Sequence, residues 1–158
     1  MALMENVKQD IALKKELLDI CIQIQTNLAN TKKEAMEQAQ QGANEEKGAS
    51  EDKYESFREQ CMIDREMYAK QLQETLSSFS TLKMIEAAKI NDQVKLGSVV
   101  ITDFQAFFIA ISLGEVEVED KKFFVISTQS PLYQAMAGKK KGETFSFRNK
   151  NHKILDVF

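Results

Sequence analysis

The C-terminal third of the chain is organised around the stretch Gln129-Ser130-Pro131-Leu132-Tyr133-Gln134-Ala135-Met136-Ala137-Gly138-Lys139-Lys140-Lys141-Gly142-Glu143, which holds the only proline of the protein. Ser130 is a suitable N-cap residue, and Pro131 suits the first position of a helix. Gly138 suits the residue that follows a helix end, because glycine adopts positive φ without strain. The stretch therefore predicts a short helix over residues 131–137, followed by a lysine-rich turn and a strand.

Apolar and polar residues alternate on both sides of this helix, a pattern that is typical of strands. Strands are predicted over residues 99–102, 106–111, 122–126, 144–147 and 153–157. Because alternate side chains of a strand point to opposite faces, such strands bury one face beneath a helix. We therefore predict an α+β fold in which residues 91–158 form a small antiparallel sheet carrying one short helix.

The first part of the chain has the hydrophobic spacing of helices. Apolar residues recur three and four positions apart over residues 6–41 and again over residues 51–88, as in a narrow coiled-coil stripe. The polar stretch between them contains Gly42 and Gly48 and predicts a turn. We predict an antiparallel coiled-coil hairpin over residues 1–90 with its tip at about 42–52. The stripe residues are Leu13, Leu17, Ile20, Ile24, Leu28, Thr31 and Ala35, and then Tyr54, Phe57, Cys61, Tyr68, Leu72, Leu76 and Phe79.

Charge is unevenly distributed along the chain, whose net charge is −3. Residues 1–94 hold 12 Lys/Arg and 17 Asp/Glu, whereas residues 95–158 hold nine Lys/Arg and seven Asp/Glu. An acidic segment is repelled by the phosphates that dominate affinity for nucleic acid. The helical part is therefore expected to bind a protein with a basic channel rather than nucleic acid.

Several classes of protein are disfavoured by composition. An apolar run of about 18 residues is missing, so no transmembrane helix is expected. The N-terminal residues lack the basic and apolar regions of a secretory signal, and a cytoplasmic location is expected. Two cysteines without a CxxC motif and one histidine do not form a zinc site or a disulfide framework.

Several motifs resemble those of the Gre transcript-cleavage factors of bacterial RNA polymerase. Leu96-Gly97-Ser98-Val99-Val100 is similar to the family's Leu/Phe-Gly-Ser-x-Val strand entry. Residues 130–143 resemble its Ser-Pro-Leu-Gly-x-Ala-Leu-Leu-Gly-Lys-Lys-x-Gly-Asp motif. The ending Ile154-Leu155-Asp156-Val157 resembles its last strand, and Tyr54 to Gln60 match the start of its second helix. The resemblance is most specific over residues 96–158.

The resemblance implies a fold and a partner. The C-terminal domain would be similar to FK506-binding proteins and would dock on RNA polymerase beside its secondary channel, which the coiled coil enters. Gln129, Ser130, Pro131 and Leu132 are the docking candidates, with Gln129 where the family usually has an acidic residue. We expect a monomer that meets nucleic acid only through the elongation complex.

The family's tip carries two acidic residues that hold a second Mg²⁺ beside the polymerase's catalytic metal, so that catalysis belongs to the complex. The free chain is accordingly expected to be no enzyme and to hold no cofactor alone, with Mg²⁺ bound only in the complex. Counted back from Tyr54 without gaps, the family's Gly-Asp-Leu-x-Glu-Asn-x-x-Tyr motif places its Asp at Lys47 and its Glu at Ser50. With a one-residue gap, Glu51 and Asp52 take the place of its Glu-Asn, and Gly48 takes the place of its Asp. The acidic tip candidates of this chain are Glu45, Glu46, Glu51 and Asp52.

Four possible functions follow from these patterns. The protein stimulates transcript cleavage through a rearranged acidic tip, or it occupies the channel without cleavage. In a different class, it is an isomerase of the FK506-binding kind, or an interaction module that dimerises through its helices. The phenylalanines of the sheet domain line a ligand pocket in the isomerase hypothesis and form a hydrophobic core otherwise. They are Phe104, Phe107, Phe108, Phe123, Phe124, Phe145 and Phe147.

Overall fold

A computed structural model describes residues 2–45 and 51–158, with side chains described over 4–44 and 53–158. Two long helices precede a six-stranded sheet that carries one short helix, which confirms the α+β class. The elements are α1 (Ala2–Glu45), α2 (Glu51–Lys83), β1 (Val99–Thr102), β2 (Ala106–Ala110), β3 (Gly114–Val118), β4 (Lys121–Ser127), α3 (Pro131–Met136), β5 (Thr144–Phe147) and β6 (Lys150–Val157). None of the helices in this described part is long and apolar enough to cross a membrane.

Contacts divide the chain into two compact units. One unit is Gln23–Ser80, and the other combines Met1–Ile22 with Thr81–Phe158. The first half of α1 therefore belongs to the same unit as the sheet. The functional division predicted from the sequence, a hairpin over 1–90 and a docking domain over 91–158, stays a prediction.

The sheet has the strand order β3-β4-β2-β1-β6-β5. Neighbouring strands are antiparallel except β2 and β4, which run parallel. β3 was not among the predicted strands, although its buried Val116 and Val118 alternate with exposed glutamates as in a half-buried strand. Edge strands often carry charged side chains on their exposed positions. A two-residue turn with positive φ at Glu119 and Asp120 joins β3 to β4.

The hydrophobic core lies between α3 and one face of the sheet. Leu132, Tyr133 and Ala135 of α3 pack against it. Its buried members are Val94, Val100, Phe107, Ile109, Met136, Phe145, Ile154 and Val157. Alternation places Val99 and Phe108 on the opposite face, where both are fully buried. In the same compact unit, residues of α1 and of the sheet line one cavity of about 570 Å³.

Both long helices differ in extent from the prediction. The predicted turn after Gln41 is wrong over residues 42–45, since α1 continues to Glu45. Gly42, inside this last part of α1, lets α2 approach closely, since a Cβ atom at residue 42 would lie 3.3 Å from Cys61 Sγ on α2. At the other end, α2 stops at Lys83 rather than at residue 88, and the N–H of Met84 bonds to the carbonyl of Thr81 at 3.1 Å.

The buried positions of α1 follow the predicted stripe only in part, since Leu17 is fully buried as predicted. Lys14, Cys21 and Gln25 are buried, whereas Leu28 is 39% exposed. Because two of these buried residues are polar, a pattern of apolar residues does not find them. On α2, Leu76 is 50% exposed although it belongs to the predicted stripe. The spacing thus predicted the two helices and part of the stripe that is buried, but it missed the buried polar residues of α1.

Candidate functional site: the Ser-Pro loop and the hairpin end

Backbone hydrogen bonds hold the loop between β4 and α3 in one conformation. Gln129 N–H donates to Ser127 Oγ at 3.2 Å, and Ser130 N–H donates to the carbonyl of Ser127 at 3.1 Å. The N–H of Gln134 donates to the carbonyl of Ser130 at 3.0 Å, which closes the first turn of α3. Pro131 occupies the start of the helix, as predicted. The loop is therefore a preformed structure.

The four docking candidates differ in exposure. Gln129 and Pro131 are exposed, Ser130 is half-buried, and Leu132 packs against the core. Ser130 has the extended backbone of an N-cap residue, with φ −65° and ψ 136°, but its side chain makes no capping hydrogen bond. Ser130 is therefore the N-cap residue of α3, as predicted, but its hydroxyl group does not cap the helix. This leaves an amide, a proline ring and a hydroxyl group for contact with a partner.

The lysine run after α3 is anchored by its backbone. Gly138 has φ 74°, as predicted for the residue after the helix, and its N–H bonds to the carbonyl of Val94 at 2.9 Å. Val94 N–H in turn bonds to the carbonyl of Lys139 at 2.8 Å. The Lys141 ammonium lies 4.0 Å from an Asp156 carboxylate oxygen, and both side chains are exposed. The run is an ordered turn whose ammonium groups remain at the surface.

The acidic tip candidates lie where the two helices approach each other in sequence. Glu45 is the last residue of α1, and Glu51 and Asp52 are the first residues of α2. Glu46 and the side chains of these three residues lie outside the described residues. No group of three His, Cys, Asp or Glu that could hold a metal ion occurs in the part of the chain that is described.

The described flank of the tip shows how the helices pair within the unit Gln23–Ser80. Gly42 lies beside Phe57 and Cys61, and Met36 shares a cavity of about 380 Å³ with Arg65. Moving back along α1 thus corresponds to moving forward along α2, which is the antiparallel arrangement predicted from the sequence. Cys61 and Cys21 are both free thiols, in agreement with the prediction of no disulfide.

The phenylalanines of the sheet domain are mainly core residues. Phe107, Phe108, Phe123 and Phe145 are at most 3% exposed. Phe104 is the exception, since it is 43% exposed. It packs against His152 with ring centroids 4.2 Å apart. His152 was assigned no role from the sequence, and the signal that was missed is the position of Phe104 in the β1–β2 turn.

A buried lysine lies between α1 and the segment after α2, within one compact unit. Lys14 is fully buried, and its ammonium donates a hydrogen bond to the carbonyl oxygen of Lys89. Burial lowers the Lys14 pKa to about 8, with Asp10 opposing this and Lys95 and Lys89 adding to it. The Asp10 pKa is raised by burial and by Asp156, while Lys14 lowers it. Sequence reasoning missed this group because a lysine on a helix is usually exposed.

The chain is similar to two solved structures. It shares 13% identity with a crystal structure of GreA factor homolog 1 (Gfh1) of Thermus thermophilus, covering 98% of this chain and 93% of that chain with a TM-score of 0.33. It shares 15% identity with a structure of the transcription factor Gfh1, covering 97% of this chain and 91% of that chain, also with a TM-score of 0.33. No protein-family model matches the sequence. No curated protein matches it.

Proposed function

We propose that the chain is a Gre-like regulator that binds bacterial RNA polymerase in the cytoplasm as a monomer. The sheet domain docks on the polymerase through Gln129, Ser130, Pro131 and Leu132. The hairpin enters the secondary channel with its tip, so that the protein meets nucleic acid through the elongation complex. The free protein is not an enzyme, since any cleavage chemistry belongs to the polymerase.

The observation that carries this proposal is the conformation of the Ser-Pro loop. In the motif that resembles the Gre factors, the serine and proline precede a short helix, and here they form an ordered, partly exposed helix start. The Ser130 side chain makes no capping hydrogen bond, so its identity has no evident role in forming the helix. A hydroxyl group that the fold does not use is available to a partner. The antiparallel pairing of α1 with α2 is the second observation that supports the proposal, because the Gre factors combine such a hairpin with a sheet domain.

The donor set of the tip does not fit the metal position of the family. The ungapped match places Lys47 where the family has an aspartate, and a lysine disfavours Mg²⁺ by like charge. No metal-dependent step is therefore assigned to this chain. The acidic residues Glu45, Glu46, Glu51 and Asp52 instead give the tip a negative charge that suits a basic channel.

A transcript-shortening assay tests this proposal. RNA polymerase from the host is stalled on a template with end-labelled RNA, the protein is added with Mg²⁺, and the length of the RNA is followed. Intact RNA together with slower elongation, or competition with an established cleavage factor, is the result expected of a channel-occupying regulator. Shortening that is lost in a variant with all four acidic tip candidates changed to Ala would establish cleavage by a rearranged tip.

Binding to the polymerase is measured separately, so that docking and cleavage are distinguished. Pro131→Ala is expected to weaken the complex, while Leu155→Ala, which alters an exposed leucine outside the loop, serves as the matched control. Equal affinity of both variants and the unaltered protein would remove the loop from the proposal. Failure of the full-length protein to bind polymerase at all would overturn the proposed function.

A further inference from the structure

A group of aromatic and basic side chains at the β5 edge of the sheet domain takes no part in the proposed docking loop. We call it the aromatic–basic surface, and it consists of Phe104, Phe147, Arg148, Lys150 and His152. We propose that this surface binds single-stranded nucleic acid directly, with a base stacked on the exposed Phe104 ring and phosphates on the cations. The inference does not rest on the proposed function, because it concerns the free protein.

The register of the β5–β6 hairpin places Phe147, Lys150 and His152 on the same face of the sheet as the core residue Phe145. Phe147 and His152 are therefore partly buried, and the exposed members of the aromatic–basic surface are Phe104, Arg148 and Lys150. Phe145 is the cross-strand partner of His152, and Phe147 is the partner of Lys150. Directly opposed residues of antiparallel strands project from the same face, and two-residue spacing along a strand retains that face. The hairpin turn has positive φ at Arg148 (53°) and Asn149, and the Arg148 guanidinium lies 5.2 Å from the centroid of the Phe147 ring.

The exposed ring of the surface is held by its neighbours. Phe104 lies 4.2 Å from His152 between ring centroids, and it meets Phe107 edge-on at 5.6 Å. The turn beneath it is fixed by Thr102, whose hydroxyl accepts hydrogen bonds from the N–H groups of Phe104 and Gln105. A large aromatic ring that is 43% exposed and rigidly positioned is a ready platform for a planar base.

The charge of the hairpin selects a polyanion as the occupant. Residues 144–155 contain Arg148, Lys150, Lys153 and His152 but no Asp or Glu. The carboxylate next to the stack is Asp103, and it lies 3.3 Å from His152 Nδ1. Aromatic faces combined with a basic groove are the recurring features of proteins that bind single strands. A double helix would satisfy only the cations, because its bases are already stacked on one another.

The test is fluorescence anisotropy of the full-length protein with labelled single strands of about 12 nucleotides, oligouridine and oligothymidine in parallel arms. Affinity is measured between about 50 mM and about 200 mM salt. Neutralising two phosphates predicts a slope of about −1.4 for the logarithm of the binding constant against that of salt concentration. A duplex of the same length is expected to bind more weakly, and the two single-strand arms show whether RNA or DNA is preferred.

Two sets of variants separate the contribution of stacking from the contribution of charge. Phe104→Ala is expected to weaken binding about tenfold without changing the salt slope, whereas Phe104→Tyr retains affinity and Leu155→Ala is the exposed apolar control. The double variant R148A/K150A is expected to remove most of the salt dependence. Its charge-matched control is K121A/K122A, at exposed lysines of β4 that lie outside the aromatic–basic surface.

Three results would overturn the inference. The first is absence of binding to any single strand at the lowest salt concentration. The second is equal weakening by R148A/K150A and its charge-matched control, which would indicate non-specific attraction. The third is unchanged affinity in Phe104→Ala with thermal unfolding unaltered, which would leave the ring without a role. If R148A/K150A instead weakened only polymerase binding, the surface would be a protein interface.

Discussion

Gly97 lies directly against Ile85, so that a Cβ atom on residue 97 would be 3.1 Å from Ile85 Cγ2. Gly97 also has φ 89°, and its N–H donates to the carbonyl of Ile109 at 2.7 Å. The positive φ therefore favours glycine, and a Cβ atom at this position would also require the Ile85 side chain to shift. We predict that Gly97→Ala lowers the free energy of unfolding by about 2–4 kcal/mol, as measured by urea denaturation.

Gly114 provides a control for the backbone contribution alone. Its φ is 93°, and nothing lies within 4 Å of a Cβ atom placed on it. Gly114→Ala is therefore expected to cost only the left-handed strain, about 1–2 kcal/mol. Equal losses in the two variants would contradict the steric role of Ile85.

Glycines with positive φ explain how much of the fold could be predicted from the sequence. Gly97, Gly138 and Gly142 belong to the motifs that resemble the Gre factors, and all three have positive φ. Such positions leave a sequence signal because few other residues tolerate that conformation. The short helix and the strands around it were therefore correctly predicted from local chemistry.

The features that escaped prediction depend on contacts between distant parts of the chain. Lys14 is buried because it bonds to the carbonyl of Lys89, 75 residues away. The pairing of His152 with Asp103 and Phe104 joins β6 to the β1–β2 turn. No spacing along the chain encodes such pairs, so neither the burial of Lys14 on α1 nor the aromatic–basic surface was predicted. The charge of the tip was evident from sequence, but its geometry was not.

Gly42 and Cys61 couple the two helices near the tip. A Cβ atom on Gly42 would lie 3.3 Å from Cys61 Sγ and 3.9 Å from Phe57 Cζ. Alanine favours a helix over glycine by about 0.5–1 kcal/mol, but the crowded sulfur opposes this gain. We predict that Gly42→Ala stabilises the protein fully only when Cys61→Ala is also present. Thermal unfolding of the two single variants and the double variant measures the coupling.

Additive effects of Gly42→Ala and Cys61→Ala would contradict this close approach. Leu155→Ala, a change at an exposed leucine in the other compact unit, shows whether an alanine substitution as such alters the transition. The circular dichroism signal of each variant at low temperature checks that helix content is retained.

Ser130 is predicted to be more important for binding than for stability. Because its hydroxyl makes no capping hydrogen bond, Ser130→Ala should change the free energy of unfolding by less than about 0.5 kcal/mol. A working N-cap would lose about 1 kcal/mol. The same variant is expected to weaken polymerase binding under the proposed function. Ser127→Ala is the comparison, because its hydroxyl accepts the Gln129 N–H and its loss should loosen the loop. A large loss of stability in Ser130→Ala would reassign the residue to the fold.

Lys14 should make stability rise with pH in the alkaline range. Its native pKa is about 8 against an ordinary 10.5, so between these values the unfolded chain binds a proton that the native protein lacks. Its contribution to the free energy of unfolding then increases by at most about 1.4 kcal/mol per pH unit. Urea denaturation between pH 8 and pH 10.5 should show that the free energy of unfolding rises less steeply with pH in Lys14→Met than in the unaltered protein. Lys15→Met, at an exposed neighbouring position, should leave the slope unchanged, and equal slopes in Lys14→Met and the unaltered protein would refute the shift.

Cys21, about two turns further along the same helix, should make stability fall rather than rise with pH in the alkaline range. Burial raises the pKa of its thiol from 9.0 to about 11, so in this window the native protein retains a proton that the unfolded chain has released. Its contribution to stability is complete below pH 9 and is lost as pH rises towards about 11. Cys21→Ala is expected to lower stability at neutral pH, because a fully buried side chain is truncated, but to make the alkaline slope more positive. Cys61→Ala, at a thiol that is only partly buried, is the matched control. If Cys21→Ala and Cys61→Ala changed the slope equally, burial of the Cys21 thiol would not be its cause.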